Sequence, residues 1–214
     1  EWVQDPSDAS QARCLLPGSD AGPEWEWLPE SARGSGSGLA LVSRAGRQIA
    51  IAPPFPFDPS AGLAVAAARP IPAHARCPVC GMFPARQPRW AAQVIFANGD
   101  VQYLDSPLSL FLYLQNVPRY TVGQQADRIL ATYVTDLDSG AWVPAEQAVY
   151  VQGSRTPGPM RSGNLPAFAS APAAEAFIAR QGGSAVRADA LRQALPTALQ
   201  RLAPRQHAGH PGAA

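Results

Sequence analysis

The stretch that decides the fold runs from Cys77 to Leu114 and reads CPVCGMFPARQPRWAAQVIFANGDVQYLDSPLSLFLYL. It opens with a sulfur-rich loop, in which Cys77, Cys80 and Met82 surround a glycine. Strand-forming residues follow, interrupted by an Asn-Gly turn signal. A Ser-Pro pair then precedes an apolar run, which is typical of a helix start. The stretch therefore predicts a ββα unit that follows a sulfur-rich loop.

A second stretch has the same pattern of two strands and a Ser-Pro-type helix start. The predicted elements are, in order, strands at 90–96 and 101–104, a helix at 107–115, strands at 131–135 and 148–152, and a helix at 172–181. This repetition indicates an internal duplication. The predicted fold class is α+β, with two small tandem ββα-type modules at residues 74–125 and 126–186.

The rest of the chain flanks these modules. Residues 1–38 form an acidic arm, since seven of the sixteen acids fall in the first thirty residues against one arginine. The indoles of Trp25 and Trp27 indicate that part of this arm docks on a surface. Residues 39–73 predict a β-hairpin and a proline-rich connector. Residues 187–214 predict a helix-like tail.

Composition excludes several functions. All 17 basic residues are arginine, so lysine chemistry such as a Schiff base or a phosphate-loop lysine is excluded. The net charge of +1 does not favour a nucleic-acid partner. The longest apolar run, residues 63–68, is far shorter than the roughly 20 residues of a membrane span. Because the sequence starts at Glu1, a removed secretory signal is one explanation, and we expect a periplasmic location.

The sulfur-rich loop is open to four interpretations. A structural zinc site usually needs a second Cys or His pair, which the sequence lacks. A thioredoxin-type redox pair lies at a helix start, whereas Pro84 and Pro88 follow Cys80 here. A structural disulfide would need no further ligand. A soft-metal site is the fourth, because two thiolates beside a thioether are what Cu(I) prefers.

The few methionines favour the soft-metal interpretation. The chain has only two, Met82 and Met160, and both follow Gly or Pro in loops instead of lying on an apolar face. His74, three residues before Cys77, adds a nearby nitrogen ligand. The candidate metal ligands are, in order of rank, Cys80 and Met82, then Cys77 and Met160, then His74.

The residues also resemble a known family. CPVCGM with the strand and helix after it, GSRTPGPM at 153–160, and LPAFASAPAAEAFIARQGG at 165–183 resemble NosL, the copper-binding accessory proteins of nitrous oxide reductase assembly. The resemblance covers roughly residues 74–185. It implies two ββα-type modules that bind one Cu(I) and deliver it to the reductase in the periplasm. Position by position, it carries over to Cys80, Met82, Cys77 and Met160.

The predicted function is therefore periplasmic Cu(I) binding and delivery to a client copper enzyme and its assembly partners, with nitrous oxide reductase implied as the client. No catalytic turnover and no nucleic-acid partner are expected. Family members usually begin at a lipid-modified cysteine, whereas Cys14 follows Arg13, which is unlike a lipoprotein cleavage site. Two alternatives stay open: a thiol-disulfide oxidoreductase that uses Cys77 and Cys80, and a non-metal interaction module in which the pair is a staple.

Overall fold

The structure, a computed structural model, describes residues 2–5, 8–14, 25–27, 40–43, 48–50, 52–121, 123–159 and 165–200. In chain order the strands are β1 (Trp2–Asp5), β2 (Asp8–Cys14), β3 (Trp25–Trp27), β4 (Ala40–Ser43), β5 (Gln48–Ala50), β6 (Ala92–Phe96), β7 (Val101–Leu104), β8 (Ile129–Thr135), β9 (Trp142–Pro144), β10 (Val149–Gln152), β11 (Ala167–Phe168) and β12 (Ser184–Arg187). The α-helices are α1 (Pro107–Gln115), α2 (Val117–Tyr120), α3 (Ala171–Gln181), α4 (Ala188–Gln193) and α5 (Thr197–Gln200). The fold class is α+β, as predicted.

The first structural unit is built around β6, which is buried along its whole length. β7 pairs antiparallel with one edge of β6 and β8 with the other, and β9 extends the sheet to the order β7-β6-β8-β9. The β6–β7 turn requires Gly99, because its φ is +84° and a Cβ there would lie 2.6 Å from the Phe57 side chain. The sheet thus has a fully paired central strand beside the sulfur-rich loop.

Helix α1 begins where the sequence predicts. The Ser106 hydroxyl accepts a hydrogen bond from the Ser109 backbone N–H at 3.2 Å, and Pro107 occupies the first turn. The helix ends at Gln115, before Asn116, whose side chain accepts from the Arg119 N–H at 3.2 Å and starts α2. The cap places the residue before it, Asp105, at the junction of strand and helix.

The second unit repeats the first in topology. β10, β11, α3 and β12 follow one another, and the sheet order β11-β10-β12 matches β7-β6-β8. The Ser170 hydroxyl accepts from the Ala173 N–H at 3.4 Å at the start of α3, and Gly182 ends the helix with φ +73°. Each unit is therefore a ββαβ element whose last strand pairs with its first.

The expected pairing of strands 131–135 and 148–152 differs from the structure. β8 belongs to the first sheet and forms its hairpin with β9, whereas β10 lies in the second sheet. The physical reason is that the buried strand β6 needs hydrogen-bond partners on both edges, and β8 supplies the second set. The first unit consequently extends past the predicted boundary at residue 125.

One hydrophobic core joins the two units. The Phe111 ring of α1 meets the Tyr150 ring of β10 edge-on, with centroids 5.0 Å apart. Leu110 and Leu191, from α1 and α4, are both fully buried in this core. Cys77 is also a core member, at 1% exposure. The sulfur-rich loop is therefore anchored in the main core of the molecule.

The chain ends differ in part from expectation. The predicted hairpin at 39–52 is present as β4 paired with β5, and β3, which carries Trp25 and Trp27, pairs with β4. At the other end, the expected helix-like tail is two short helices, α4 and α5, separated by Pro196, which cannot continue a helix from Ala194. Residues 201–214 lie outside the described residues. Across the described ranges, none of the helices has the length and apolar character that a bilayer crossing demands.

Candidate metal centre

The sulfur-rich loop closes on itself through its backbone. The Cys77 N–H donates to the Met82 carbonyl at 2.8 Å, and the Gly81 N–H donates to the Cys77 carbonyl at 2.8 Å. Gly81 has φ +76°, a conformation that favours glycine and lets the chain reverse directly after Cys80. The turn holds both cysteines on one side of a tight loop. This is the local reason why a Gly follows the second cysteine.

A ring of aromatic and cationic side chains supports the loop from outside. The guanidinium groups of Arg76 and Arg86 lie 4.3 and 4.4 Å from the centroid of the Phe83 ring. Arg76 also donates to the Gly81 carbonyl at 3.3 Å. Two short 3₁₀ turns, Pro84–Arg86 and Pro88–Trp90, then lead into β6. The loop is thus fixed by contacts on both its flanks.

The structure brings a third donor to the two cysteines. The Sγ atoms of Cys77 and Cys80 and a carboxylate oxygen of Asp105 all lie within 4.8 Å of one another. Asp105 is 2% exposed, and the Ser106 hydroxyl is within 3.5 Å of its Oδ1. Its Oδ2 is buried with no hydrogen-bond partner. We name Cys77, Cys80 and Asp105 the donor cluster.

Burial and neighbouring charge raise the pKa of the Cys80 thiol well above its ordinary value. Desolvation is the largest cause, followed by the hydrogen bond and the charge of Cys77 and by the charge of Asp105, and the Met82 backbone opposes the shift. The metal-free cluster therefore favours a protonated Cys80. Because a metal ligand must be the thiolate, a bound metal has to displace this proton.

The other sequence-predicted ligands lie differently. Met82 is in the loop and is 38% exposed. His74 is exposed, and its ring packs against Phe55, with centroids 5.2 Å apart, so it is not a member of the donor cluster. Met160 lies outside the described residues, and so do the side chains of the arm, Cys14 included. Which of these residues bind a metal stays a prediction.

Sequence reasoning missed Asp105 and Tyr120. Asp105 stands between a predicted strand and the predicted cap Ser106, and this position at a strand end beside a helix start was the available signal. The Tyr120 ring stacks on the ring of Tyr113, with centroids 5.7 Å apart. Burial raises the pKa of Tyr120, Arg119 opposes this, and the charge of Cys77 adds to it, which places Tyr120 beside the cluster.

Comparison with known proteins gives one family and one informative structure. A sequence model of the NosL family matches residues 68–196, which is more than half of the chain. The fold is similar to the crystal structure of the copper chaperone NosL from Shewanella denitrificans, with a TM-score of 0.51 and 24% identity, over 58% of this chain and 94% of that chain. No match is found among curated proteins.

The family match covers both ββαβ units, the sulfur-rich loop and all three residues of the donor cluster. A chaperone carries its metal and turns over no substrate, which agrees with the prediction that this chain is not an enzyme. The predicted resemblance is confirmed by the match over residues 68–196. This chain belongs to the NosL family.

Proposed function

We propose that this protein binds one Cu(I) ion at the sulfur-rich loop and delivers it to a copper enzyme. The observation that carries the proposal is the placement of two cysteine sulfurs within 4.8 Å of each other, beside an exposed methionine in the same loop. Thiolates and thioethers are the ligands that Cu(I) prefers. The structural neighbour is named a copper chaperone, which supports the same cargo.

The gradient of exposure along the loop suits transfer. Cys77 is 1% exposed, Cys80 is half-buried and Met82 is 38% exposed. An ion held by these three sulfurs is shielded on the core side and reachable on the side of Met82. A low coordination number with one open face lets a client ligand bind before a chaperone ligand leaves, unlike a closed four-thiolate zinc site.

Met160 and His74 are proposed as additional ligands. Met160 belongs to the GSRTPGPM run that resembles the family motif, and a second thioether would complete a soft ligand set. His74 precedes the loop, and its exposed ring needs only to leave Phe55 to approach an ion. We rank both below Cys80 and Met82.

The client and the compartment are part of the proposal. The resemblance of the loop, strand and helix motifs to NosL implies nitrous oxide reductase as the client and the periplasm as the place of delivery. A cysteine pair kept ready for metal in an oxidising compartment needs a reduced or metal-bound state to avoid a disulfide. Copper loading of the reductase by the purified, Cu(I)-loaded chain tests this pairing.

Cu(I) titration of the reduced protein against a chromophoric chelator tests the cargo. Wild type should hold one equivalent, and Cys77→Ser/Cys80→Ser should lose it. Cys14→Ser is the matched control, since it removes the third cysteine, which lies in a separate strand, and should bind as wild type does. Retention of copper delivery in the double variant would instead favour the interaction module.

The oxidoreductase alternative is disfavoured by the raised pKa of the Cys80 thiol. Redox-active cysteines have a lowered pKa, because the thiolate is the nucleophile. Burial beside Cys77 and Asp105 has the opposite effect here. Catalysed reduction of a test disulfide by the metal-free protein, together with weak Cu(I) binding, would reverse this conclusion.

A further inference from the structure

The donor cluster contains a ligand that Cu(I) does not need. Asp105 is 2% exposed, and its Oδ2 has no hydrogen-bond partner. Buried polar atoms are normally paired, and a buried carboxylate oxygen without a donor is a costly arrangement. This oxygen lies within 4.8 Å of both cysteine sulfurs. A metal cation at the two sulfurs would supply the missing partner.

From these positions we infer a second metal mode, in which Cys77, Cys80 and Asp105 bind a divalent thiophilic ion of the Zn²⁺ class. Zinc is bound by cysteine at about 2.3 Å and by carboxylate oxygen at about 2.0–2.2 Å, which places neighbouring tetrahedral donors about 3.4–3.8 Å apart. The three donor atoms need only a small contraction to reach this spacing. Three protein ligands leave the fourth position open.

Charge separates the two modes. Two thiolates and a carboxylate carry three negative charges, so a divalent ion leaves one net negative charge in the buried cluster, whereas Cu(I) leaves two. The smaller buried charge is the less costly one. Ligand type points the same way, because carboxylate suits Zn²⁺ and thioether suits Cu(I).

The two modes share the cysteines and differ in the third ligand. In the copper mode of the proposed function, the ion lies toward the exposed Met82. In the zinc mode it lies toward the buried Asp105, at the junction of β7 and α1. The inference rests on the same cysteine pair as the proposed function, but its test does not depend on copper transfer.

Two variants separate the modes. Asp105→Asn keeps the side-chain size and removes the charge, and we expect it to lower Zn²⁺ affinity by about tenfold or more while Cu(I) affinity changes by less than about twofold. Met82→Leu should do the reverse. Each affinity is measured by competition with a chromophoric chelator, with Cys14→Ser as the control and far-UV circular dichroism as the check on folding.

Cobalt(II) gives a readout that an effect on folding would not move. Co²⁺ bound to wild type should show thiolate charge-transfer bands and the strong visible bands of a tetrahedral site. In Asp105→Asn the visible bands should shift while the thiolate bands stay. Unchanged bands and unchanged Zn²⁺ affinity in Asp105→Asn would overturn the inference, and so would an equal loss of both metals. Zinc binding without Cu(I) binding would overturn only the proposed function.

Discussion

Cys80 links the buried and exposed parts of the site. It packs against the main core, and the loop reverses directly after it at Gly81. Burial and the neighbouring groups raise the pKa of its thiol, so the metal-free protein holds it protonated. Two properties follow at this scale, one for copper affinity and one for stability.

Met82→Leu removes the thioether and keeps an apolar side chain of similar size. We expect Cu(I) affinity to fall by about tenfold or more, and by the same factor at neutral and mildly acid pH, because a thioether has no proton to lose. Competition with a chromophoric Cu(I) chelator at two pH values measures this. If Met82→Leu binds normally at both while Cys80→Ser abolishes binding, Met82 is not a ligand.

The raised pKa of Cys80 predicts a loss of stability in alkali. Because folding favours the neutral thiol, its contribution to the free energy of unfolding is complete below the unfolded-state pKa near 9.0 and is lost as pH rises through the folded-state pKa. The reduced, metal-free protein should therefore be less stable to urea at about pH 10.5 than at about pH 8. Cys80→Ser should lose less over this interval.

Tyrosines add to the alkaline loss at higher pH, since burial raises the pKa of Tyr103 to about 12. Cys14→Ser is the matched control and should follow wild type. An equal decline in Cys80→Ser and wild type would show that the Cys80 thiol ionises as freely in the folded protein as in the unfolded one.

The sulfur ligands are predictable from sequence and the carboxylate is not. Cys77, Cys80 and Met82 lie within six residues, so their closeness follows from local chain geometry alone. Asp105 is distant in sequence and reaches the sulfurs only because β7 pairs with β6 and ends beside the loop. A long-range contact of this kind depends on strand order, which the sequence pattern leaves open.

At the scale of elements, local signals predict some boundaries closely. The starts of α1 and α3 follow from Ser106 and Ser170, whose hydroxyls accept from the backbone three residues on. The strands missed, β9, β11 and β12, have two to four residues each. Such short strands are defined by their partner strand, so their own residues carry little signal.

The link from α3 to β12 depends on a glycine without a side chain. Gly183 has φ +96°, and a Cβ there would lie 2.6 Å from the Gln152 carbonyl oxygen, a backbone atom that cannot turn aside. Gly183→Ala should lower the free energy of unfolding by more than about 2 kcal/mol, from strain and clash together. Urea denaturation followed by circular dichroism measures this loss.

Gly153→Ala is the matched control for Gly183→Ala. Gly153 has a similar φ of +73°, and a Cβ there would meet nothing within 4 Å. Its variant should lose only the strain of the backbone, about 1–2 kcal/mol. Equal losses in the two variants would mean that the carbonyl of Gln152 moves away at no cost.

The whole molecule has two similar units and one main core. Phe111 and Tyr150 meet across it, and α4, which follows the second unit, packs Leu191 against the first unit's helix α1. The repetition of elements was visible in the sequence, whereas the sharing of a core was not, because apolar residues do not state which partner they will face. Shared burial predicts cooperative unfolding.

Leu191→Ala tests the shared core. Leu191 is 0% exposed, and its truncation should cost about 2–5 kcal/mol and lower the stability of both units together. Circular dichroism and tryptophan fluorescence should give one coincident transition. Leu130→Ala, at a 46% exposed position, is the control and should change stability by no more than about 0.5 kcal/mol. Two separate transitions would contradict a common core.

The rise in exposure from Cys77 to Met82 has a consequence for rates. Water can reach the outer sulfur but not the inner one, so spontaneous dissociation has to break the shielded bonds without help from solvent. A client that presents its own sulfur at the exposed edge replaces one bond at a time and lowers that barrier. An ion held in this way has a long lifetime in an empty solution and a short one in contact with its acceptor.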